Sequence, residues 1–468
     1  MSPEPPLLAG EDASQTTSRQ QGHVVEVDES GDIVLDVTFE TSHAVLKKSR
    51  KALPPADRTL KPRPPATTKV AYRVRIAALK GNSRYFAHLF SNPQFSEARL
   101  VAETHDGLMA RGVNPSEAGA RDLPFIALVD DDEATQAAGR ELVFEDMLRI
   151  LHRKPIKTAK VVMPYAVTLA IVADRFDCVD TVARTLNGHH KFKWPIINSR
   201  PLTIDDRGRM AEVEQTMRQK VLVSWLLGQP LRLQQATREL IVRGSSLWSA
   251  FHDADANTER AAAWWNLPQG LERELQHRRE CILNAVASVQ RHFFKLYASR
   301  DRQCKLGYDS SAACDSFQLG QMLKFLTSKE LLYLVDFSPG SLDSVPDTSR
   351  LDLEELVTTL KQFPNYQVDR HHINCGPQIR IKPIMDYLRT MLSANVISIS
   401  HADWTRRRAD VSWAERKDSN GAGDSGHTFA FTRAIANDQR LHHEGTFHAD
   451  RIAKSLFTAD SWDWTPEA

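Results

Sequence analysis

Three cysteines and one histidine in the second half of the chain are the residue types of a closed metal site. Cys304 and Cys314 lie in the stretch CKLGYDSSAAC with nine residues between them, and His372 and Cys375 lie in HHINC with two residues between them. Three thiolates and one imidazole fill all four positions of a tetrahedral structural zinc site and leave none for a substrate. The pattern therefore predicts a zinc ion that joins two loops, with His371 as an alternative donor to His372.

A second interpretation of these residues stays open. Free cysteine is among the most buried residue types, so the three cysteines can also be small core residues while the histidines lie at the surface. Nine residues between two ligands is wider than the usual pair, and the two halves are far apart in the sequence. The spacing alone favours neither interpretation.

The elements that must position these residues are predicted to be helices. A helix is expected to begin near Asp315, directly after Cys314, and His372 and Cys375 fall in a loop that ends at Pro377. Apolar residues recur at spacings of three and four along residues 205–395, which predicts an α-helical domain. For residues 396–468 we expect short strands and a loosely ordered C-terminal tail, because sustained periodicity is missing after Ser419.

The first part of the chain mixes strands and helices. Alternation in DIVLDVTFE predicts one strand, and VAYRVRIAALKGNSRYFAHLF changes from alternating to helical spacing, with Asn82 or Ser83 as the helix cap. LPFIALVD predicts a third strand, and more helices follow it. The remaining stretches are predicted to be a disordered N-terminus at 1–23, a proline-rich basic insertion at about 41–69 and a loop insertion at about 99–122.

This order of elements resembles that of a BTB/POZ domain over about residues 24–190. The resemblance is carried by GDIVLDV, YRVRIAALKGNSRYFAHLF, Phe144 to His152 and Tyr165 to Leu186. It implies an α+β fold class, a BTB/POZ domain with a small sheet covered by helices, followed by an all-α domain. The helical part is also similar to that of BTB proteins of filamentous fungi, over RQKVLVSWLLGQPLRLQQATRELI and LERELQHRRECILNAVASVQRHF.

The resemblance also implies partners. Domains of this family form homodimers or BTB heterodimers, and they often connect a recruited protein to a cullin-based ubiquitin ligase or to a transcriptional regulator. It places the interacting surfaces on the helices around Leu79 to Phe95 and Phe144 to His152.

Composition narrows the class of protein. The chain has 468 residues, 41% of them hydrophobic and 25% charged, with a formal charge of +1. This balance creates no overall field that attracts nucleic acid or a membrane. No signal peptide or apolar span is visible, and five cysteines are few and odd in number, as in compartments where thiols stay reduced. We expect an intracellular protein of the nucleus or cytoplasm, or of both.

Other sequence motifs give weaker indications of function. KKSRK at Lys47 to Lys51 and RRR at Arg406 to Arg408 are either contacts for an import receptor or phosphate, or solvated faces. The acidic run from Asp130 to Glu133 is either a cation site or a solvated turn. HHEGTFH, from His442 to His448, lacks metalloprotease spacing, and neither a nucleophile elbow nor a phosphate-binding loop is visible.

These observations predict a non-enzymatic adaptor that uses a BTB/POZ domain for self-association or recruitment. The alternative is a nuclear DNA-associated transcriptional regulator whose basic clusters contact phosphates.

Overall fold

The computed structural model describes residues 24–52, 65–188, 192, 194–195, 212–245, 248, 262–304, 306, 309–335, 348–415, 427–442 and 447–465. The protein is mixed α/β, and its chain divides into two compact units. The first holds the described residues up to Asp132 together with Ala137–Lys157. The second holds Glu133–Gln136 and the described residues from Thr158 onward.

The first unit is built on a four-stranded sheet with the order β1-β3-β2-β4. Strands β2 and β3 are antiparallel, with Ile33 opposite Val74, and β4 runs parallel to β2 at the edge of the sheet. The strands are β1 (Val24–Glu26), β2 (Ile33–Glu40), β3 (Thr67–Val74) and β4 (Phe125–Asp130). The helices are α1 (His43–Ala52), α2 (Ile76–Asn82), α3 (Arg84–Ser91), α4 (Ser96–Ala110) and α5 (Arg140–Leu151).

Helices cover both faces of this sheet. Successive side chains of a strand point to opposite faces, so β2 can bury one set on each side. On one face Val34 packs with Leu108 of α4. On the other face the rings of Phe39 and Tyr72 have their centroids 5.6 and 5.5 Å from that of Phe144 in α5.

The buried Arg140 ties the ends of these elements together. Its Nε donates to Asp130 Oδ2 over 2.6 Å, and its Nη2 donates to the carbonyl oxygens of Glu40 and Asp130 over 2.7 and 2.8 Å. One guanidinium therefore joins the end of β2, the end of β4 and the start of α5. Ser83 is the predicted cap that forms, since its Oγ accepts the Phe86 N–H over 3.1 Å at the start of α3.

The predicted loop insertion at 99–122 is wrong over its first half, where α4 runs to Ala110. Gly107 and the polar residues of this stretch weaken its helical signal. Burial of Val101 and Leu108, of which Leu108 packs with Val34 of β2, outweighs that local preference.

The predicted proline-rich insertion at 41–69 is likewise not irregular throughout. Its first part forms α1, which buries Val45 and Leu46, and its end belongs to β3. Every proline of the stretch lies at or after Pro54, so nothing interrupts the α1 backbone. Residues 53–64, like the predicted N-terminal segment 1–23, lie outside the described residues.

Within the described residues, the second unit is helical apart from two short strands. Its helices are α6 (Met163–Arg175), α7 (Val179–Gly188), α8 (Glu212–Leu226), α9 (Pro230–Arg243), α10 (Leu271–Ala298), α11 (Ser311–Ser328), α12 (Leu353–Lys361), α13 (Gln378–Leu392), α14 (His401–Arg406), α15 (Arg408–Val411), α16 (Arg433–Ala436) and α17 (Phe447–Phe457). Strands β5 (Thr428–Ala430) and β6 (Ser461–Asp463) pair in parallel.

The boundary between the two compact units falls earlier in the chain than residue 190, the predicted end of the N-terminal domain. Helix α6 buries residues on nearly all its sides, among them Ala166, Ala170 and Ala173, and it packs against α8 within the second unit. A helix that is apolar all round needs neighbours on every side, and α8 is one of them.

The described residues of the C-terminal part, 396–415, 427–442 and 447–465, are more ordered than the predicted tail at 396–468, and the remaining residues of that stretch lie outside the described part of the chain. The indoles of Trp404, Trp413 and Trp464 are buried, and α17 buries Leu456 and Phe457. The predicted short strands are present as β5 and β6. Large aromatic side chains spread over an aperiodic stretch can anchor it without regular secondary structure, which periodicity does not register.

A buried ion pair in α10 fastens this C-terminal part. Arg278 Nε donates to Glu274 Oε1 over 2.7 Å, and its Nη1 donates to the carbonyl oxygen of Ser398 over 2.7 Å. Glu274 accepts the Trp413 N–H over 2.8 Å and the Ser412 hydroxyl over 2.7 Å. Both charges are thus fully hydrogen-bonded, as burial requires.

We expect Arg278→Met to lower the free energy of unfolding by about 3–5 kcal/mol near neutral pH, because it leaves the Glu274 carboxylate buried without its cation. Arg273→Met, an exposed position in the same helix, is the matched control and should cost under about 0.5 kcal/mol. Urea denaturation of both variants measures the difference. Equal losses for the two variants would contradict this account.

The loss at Arg278→Met should also depend on pH. Burial opposes ionisation of Glu274, but Arg278 and the hydrogen bonds from Trp413 and Ser412 outweigh it and hold its pKa below the usual value. The carboxylate therefore stabilises the wild type above its unfolded pKa of about 4.3, and this contribution is lost as the pH falls through the folded value. In the variant, which lacks the cation, burial raises the pKa of Glu274. Protonation as the pH falls then removes the unpaired buried charge. The difference in the free energy of unfolding between the wild type and Arg278→Met should therefore become smaller as the pH falls towards about 4.5.

Candidate metal centre

The second unit brings the four predicted metal ligands into one cluster. Cys304 follows the end of α10, and Cys314 lies in the first turn of α11, which begins at Ser311 rather than near Asp315. His372 and Cys375 lie in the loop between α12 and α13, as predicted. Residues from two distant parts of the sequence therefore meet in a single site.

The distances between the donor atoms are short. Cys304 Sγ lies 3.7 Å from Cys375 Sγ and 3.4 Å from His372 Nδ1, and Cys375 Sγ lies 3.9 Å from the same nitrogen. With Cys314 Sγ included, all four donor atoms lie within 4.8 Å of one another. Cys304, Cys314 and His372 are buried, and Cys375 is half-buried.

These separations fit a tetrahedral ion. Bonds of about 2.3 Å to sulfur and about 2.05 Å to nitrogen, at a tetrahedral angle, place two sulfur atoms about 3.8 Å apart and sulfur and nitrogen about 3.6 Å apart. The three distances among Cys304 Sγ, Cys375 Sγ and His372 Nδ1 lie within a few tenths of an ångström of these values. The buried three-cysteine, one-histidine cluster can therefore bind a metal ion, and four protein donors leave no coordination position for a substrate.

His372 is oriented by its second ring nitrogen. Its Nε2 lies 3.0 Å from Ser310 Oγ, in the turn that precedes α11. When Nε2–H donates to that hydroxyl, Nδ1 keeps its lone pair and faces the sulfur atoms. The alternative donor His371 is exposed and lies outside the cluster, with its Nε2 3.1 Å from Arg370 Nε.

Hydrogen bonds between side chains and the backbone hold the two cysteine loops. Asp315 accepts the Cys304 N–H over 2.9 Å, and the Tyr297 hydroxyl donates to the carbonyl oxygen of Cys375 over 2.8 Å. Asn374 adopts a left-handed conformation with φ 61°, which turns the chain between His372 and Cys375. The loops are thus shaped by the protein as well as by any bound ion.

Sequence reasoning missed these supporting residues. Asp315 directly follows Cys314, so its carboxylate was a candidate neighbour of the site, but nothing in the sequence indicates that it accepts from Cys304. Ser310 and Tyr297 give no sequence signal, because their roles depend on how α10 and α11 pack.

The thiols differ in acidity. Burial opposes ionisation of Cys304, but hydrogen bonding from the Leu306 backbone and from neighbouring side chains outweighs it and lowers the pKa of this thiol. Burial and the neighbouring sulfur atoms of Cys375 and Cys304 raise the pKa of Cys314 to about 12, and burial raises that of Cys375. Three adjacent thiolates repel one another, and a divalent cation at their centre removes this penalty.

Charged residues of the acidic run and of the RRR cluster have structural partners. Asp130 pairs with Arg140, and Asp132 accepts the N–H and the hydroxyl of Ser42 over 2.9 Å each, so half of the acidic run holds the first unit together. Arg408 Nη2 lies 2.5 Å from Glu415 Oε1, and Arg407 pairs with Asp403.

Of the histidine-rich motif, residues 443–446 lie outside the described part of the chain. His448 belongs to α17, where its Nε2 lies 3.1 Å from Asp438 Oδ2. No ligand cluster forms around it in the described residues.

Comparison with known proteins adds no relative: no protein-family model, curated protein or solved structure matches the chain. None of the helices that the structure describes combines the length and the apolar character of a membrane span.

We expect Cys314→Ser to lose bound metal, because a serine hydroxyl stays protonated and is a poor ligand where a thiolate is required. Cys178→Ser is the matched control: it also replaces a buried thiol of the second unit, but one outside the cluster. Metal content after gel filtration should be about one ion per chain in the wild type and in the control, and well under half of that in Cys314→Ser. Equal metal content in both variants would contradict the assignment of Cys314 as a metal ligand.

Proposed function

We propose that the protein is an interaction adaptor, with a BTB/POZ-type module as its first unit and a zinc-braced helical second unit. One observation carries the first part of the proposal. In the first unit β2 and β3 form an antiparallel pair, helices follow, and β4 then returns parallel to β2 before α5. Up to α5 this is the order of elements that the resemblance to the BTB/POZ family implies, and it supports a module that self-associates or recruits a partner. The two further helices of that order, α6 and α7, belong to the second unit.

We propose other surfaces for such contacts beside the helices that the resemblance implies. The stretches Leu79 to Phe95 and Phe144 to His152 use many of their apolar side chains in the core, among them Phe86, Met147 and Leu151. Large apolar side chains of the first unit that remain exposed include Val129 on the edge strand β4, 64% exposed, and Leu142 in the first turn of α5, 62% exposed. An edge strand and exposed apolar side chains favour contact with another chain.

The family resemblance makes a second copy of the chain, another BTB domain or a cullin the partners to test. The alternative, a DNA-associated regulator, has less support. Arg407 and Arg408 are each engaged with a nearby carboxylate, which reduces the charge that this cluster offers to phosphate.

We further propose that the metal ion is zinc and that its role is structural. Three thiolates and one imidazole in a tetrahedral arrangement form a common structural zinc site. The ion would be held by Cys304, Cys314, His372 and Cys375, and would join the start of α11 to the loop before α13. When bound, it neutralises the thiolates and cross-links these segments.

If zinc has this role, removing it should destabilise the second unit. We expect about one zinc per chain in protein purified without added metal, and a lower melting temperature after a strong chelator has removed it. Restoring zinc should restore the melting temperature, and cobalt substitution should give the visible absorption of a tetrahedral thiolate site. Stable, metal-free protein would contradict the structural role.

Self-association tests the adaptor proposal. Light scattering on the purified full chain should give about twice the monomer mass of 52.8 kDa. Val129→Glu with Leu142→Glu should shift it towards monomer, because burying two carboxylates in an apolar contact is costly. Gln94→Glu with Ala102→Glu adds the same charge at other exposed positions of this unit and should leave the mass unchanged.

Binding to a purified cullin is the second test of the adaptor proposal. Retention of the cullin by the wild type would identify a ligase adaptor even if the chain is a monomer. A monomer that retains neither a cullin nor another BTB domain would overturn the proposal.

A further inference from the structure

A cleft of about 450 Å³ lies in the second unit, away from the metal ligands. One wall is the C-terminal half of α11, and the other is the segment that follows α12. The residues that line it include Gln321, Lys324, Phe325, Lys329, Pro364 and Tyr366.

The charged groups of the cleft are all basic. Lys324 and Lys329 are exposed, no acidic residue lines the cleft, and neither ammonium group forms an ion pair within the described residues. Nearby, by contrast, Lys361 Nζ lies 2.5 Å from Asp386 Oδ1, so its charge is balanced. The cleft therefore offers two lysines to an anionic group from another molecule.

The rest of the lining is apolar or uncharged. Phe325 is packed edge-to-face against Phe363 with ring centroids 4.9 Å apart, which fixes it as the floor, and Pro364 and Tyr366 form the side. Gln321 contributes an amide that can both donate and accept hydrogen bonds. Fixed aromatic and proline surfaces suit an apolar side chain, and an amide suits a peptide backbone.

We propose that this cleft binds an acidic, extended peptide segment of a partner protein. Carboxylates of the peptide would pair with Lys324 and Lys329, and an apolar side chain beside them would pack on Phe325 and Pro364. The inference extends the adaptor role by giving the chemistry of a recruited segment. It does not depend on self-association of the first unit, since every lining residue belongs to the second.

The metal cluster lies on the same two walls as the cleft. Helix α11 carries Cys314 at its start, and the segment after α12 leads from Tyr366 to His372. Gln318 of α11 joins the walls between the two sites, because its Nε2 donates to the carbonyl oxygen of Tyr366 over 2.8 Å. A Cβ added to Gly376 would lie 2.6 Å from Gln318 Oε1, so the loop passes close to this side chain. Metal loss should therefore loosen the cleft as well.

The test is binding of the full-length protein to an array of short peptides in which Asp and Glu alternate with Leu, Phe and Pro. The matched array carries Gln and Asn in place of the acidic residues. We expect the wild type to retain a subset of acidic peptides, to bind their amide counterparts about tenfold more weakly, and to lose binding as salt is raised.

Lys324→Glu with Lys329→Glu should lower the affinity for the best acidic peptide by about tenfold or more, because the charge of the cleft changes from attractive to repulsive. Lys295→Glu with Lys382→Glu makes the same change of charge at exposed helical positions outside the cleft, and it should have little effect. Chelation of the metal should weaken binding in the wild type. The variant Val129→Glu with Leu142→Glu should bind normally, which separates this inference from the adaptor's self-association.

Two results would overturn the inference. One is an array in which no acidic peptide is retained above its amide counterpart. The other is retention that the cleft variant and the control variant reduce equally, which would mean non-specific attraction to the surface. An unchanged melting temperature in both variants excludes unfolding as the cause of lost binding.

Discussion

The buried pair of Glu274 and Arg278 is the constraint on which the second unit depends. Two opposite charges in the interior are tolerable only when each finds its full set of hydrogen-bond partners. Here those partners are backbone groups of the C-terminal part, such as the carbonyl oxygen of Ser398 and the N–H of Trp413. The next residue, Arg279, donates to the carbonyl oxygen of Ile241 over 2.7 Å, in the last turn of α9. One turn of α10 therefore fixes segments that are more than one hundred residues apart in the sequence.

The metal cluster stands at the other end of the same helix. Tyr297, in the last turn of α10, holds the carbonyl oxygen of Cys375, and Cys304 follows six residues after the helix ends. The position of α10 thus decides where two of the four ligands lie. Asp315 and Ser310 then adjust the backbone of Cys304 and the ring of His372. Protein contacts bring the donor atoms of Cys304, His372 and Cys375 to within a few tenths of an ångström of tetrahedral spacing, and the Cys314 sulfur lies within 4.8 Å of each of them.

The two units use buried charge in a similar way. In the first unit Arg140 donates to the ends of β2 and β4, and in the second Arg278 and Arg279 donate to the ends of helices and loops. Arginine suits this task because its guanidinium carries five donors in a fixed plane and stays charged. Carbonyl groups at the ends of helices and strands lack a partner within their own element, and each buried arginine satisfies several of them. The exposed lysines of the cleft, by contrast, keep their donors for another molecule.

Local patterns in the sequence predicted strands β2, β3 and β4, that Ser83 can cap α3, and which residue types could hold a metal. These features depend on neighbours a few residues away, which is the range over which periodicity and capping act. Only the tertiary structure decided that α4 replaces a predicted loop, that Trp404, Trp413 and Trp464 are buried, and that His372 rather than His371 joins Cys304 in the cluster. Each of these outcomes rests on burial or hydrogen bonding between residues far apart in the chain. A sequence pattern carries no record of which distant segment supplies the partner.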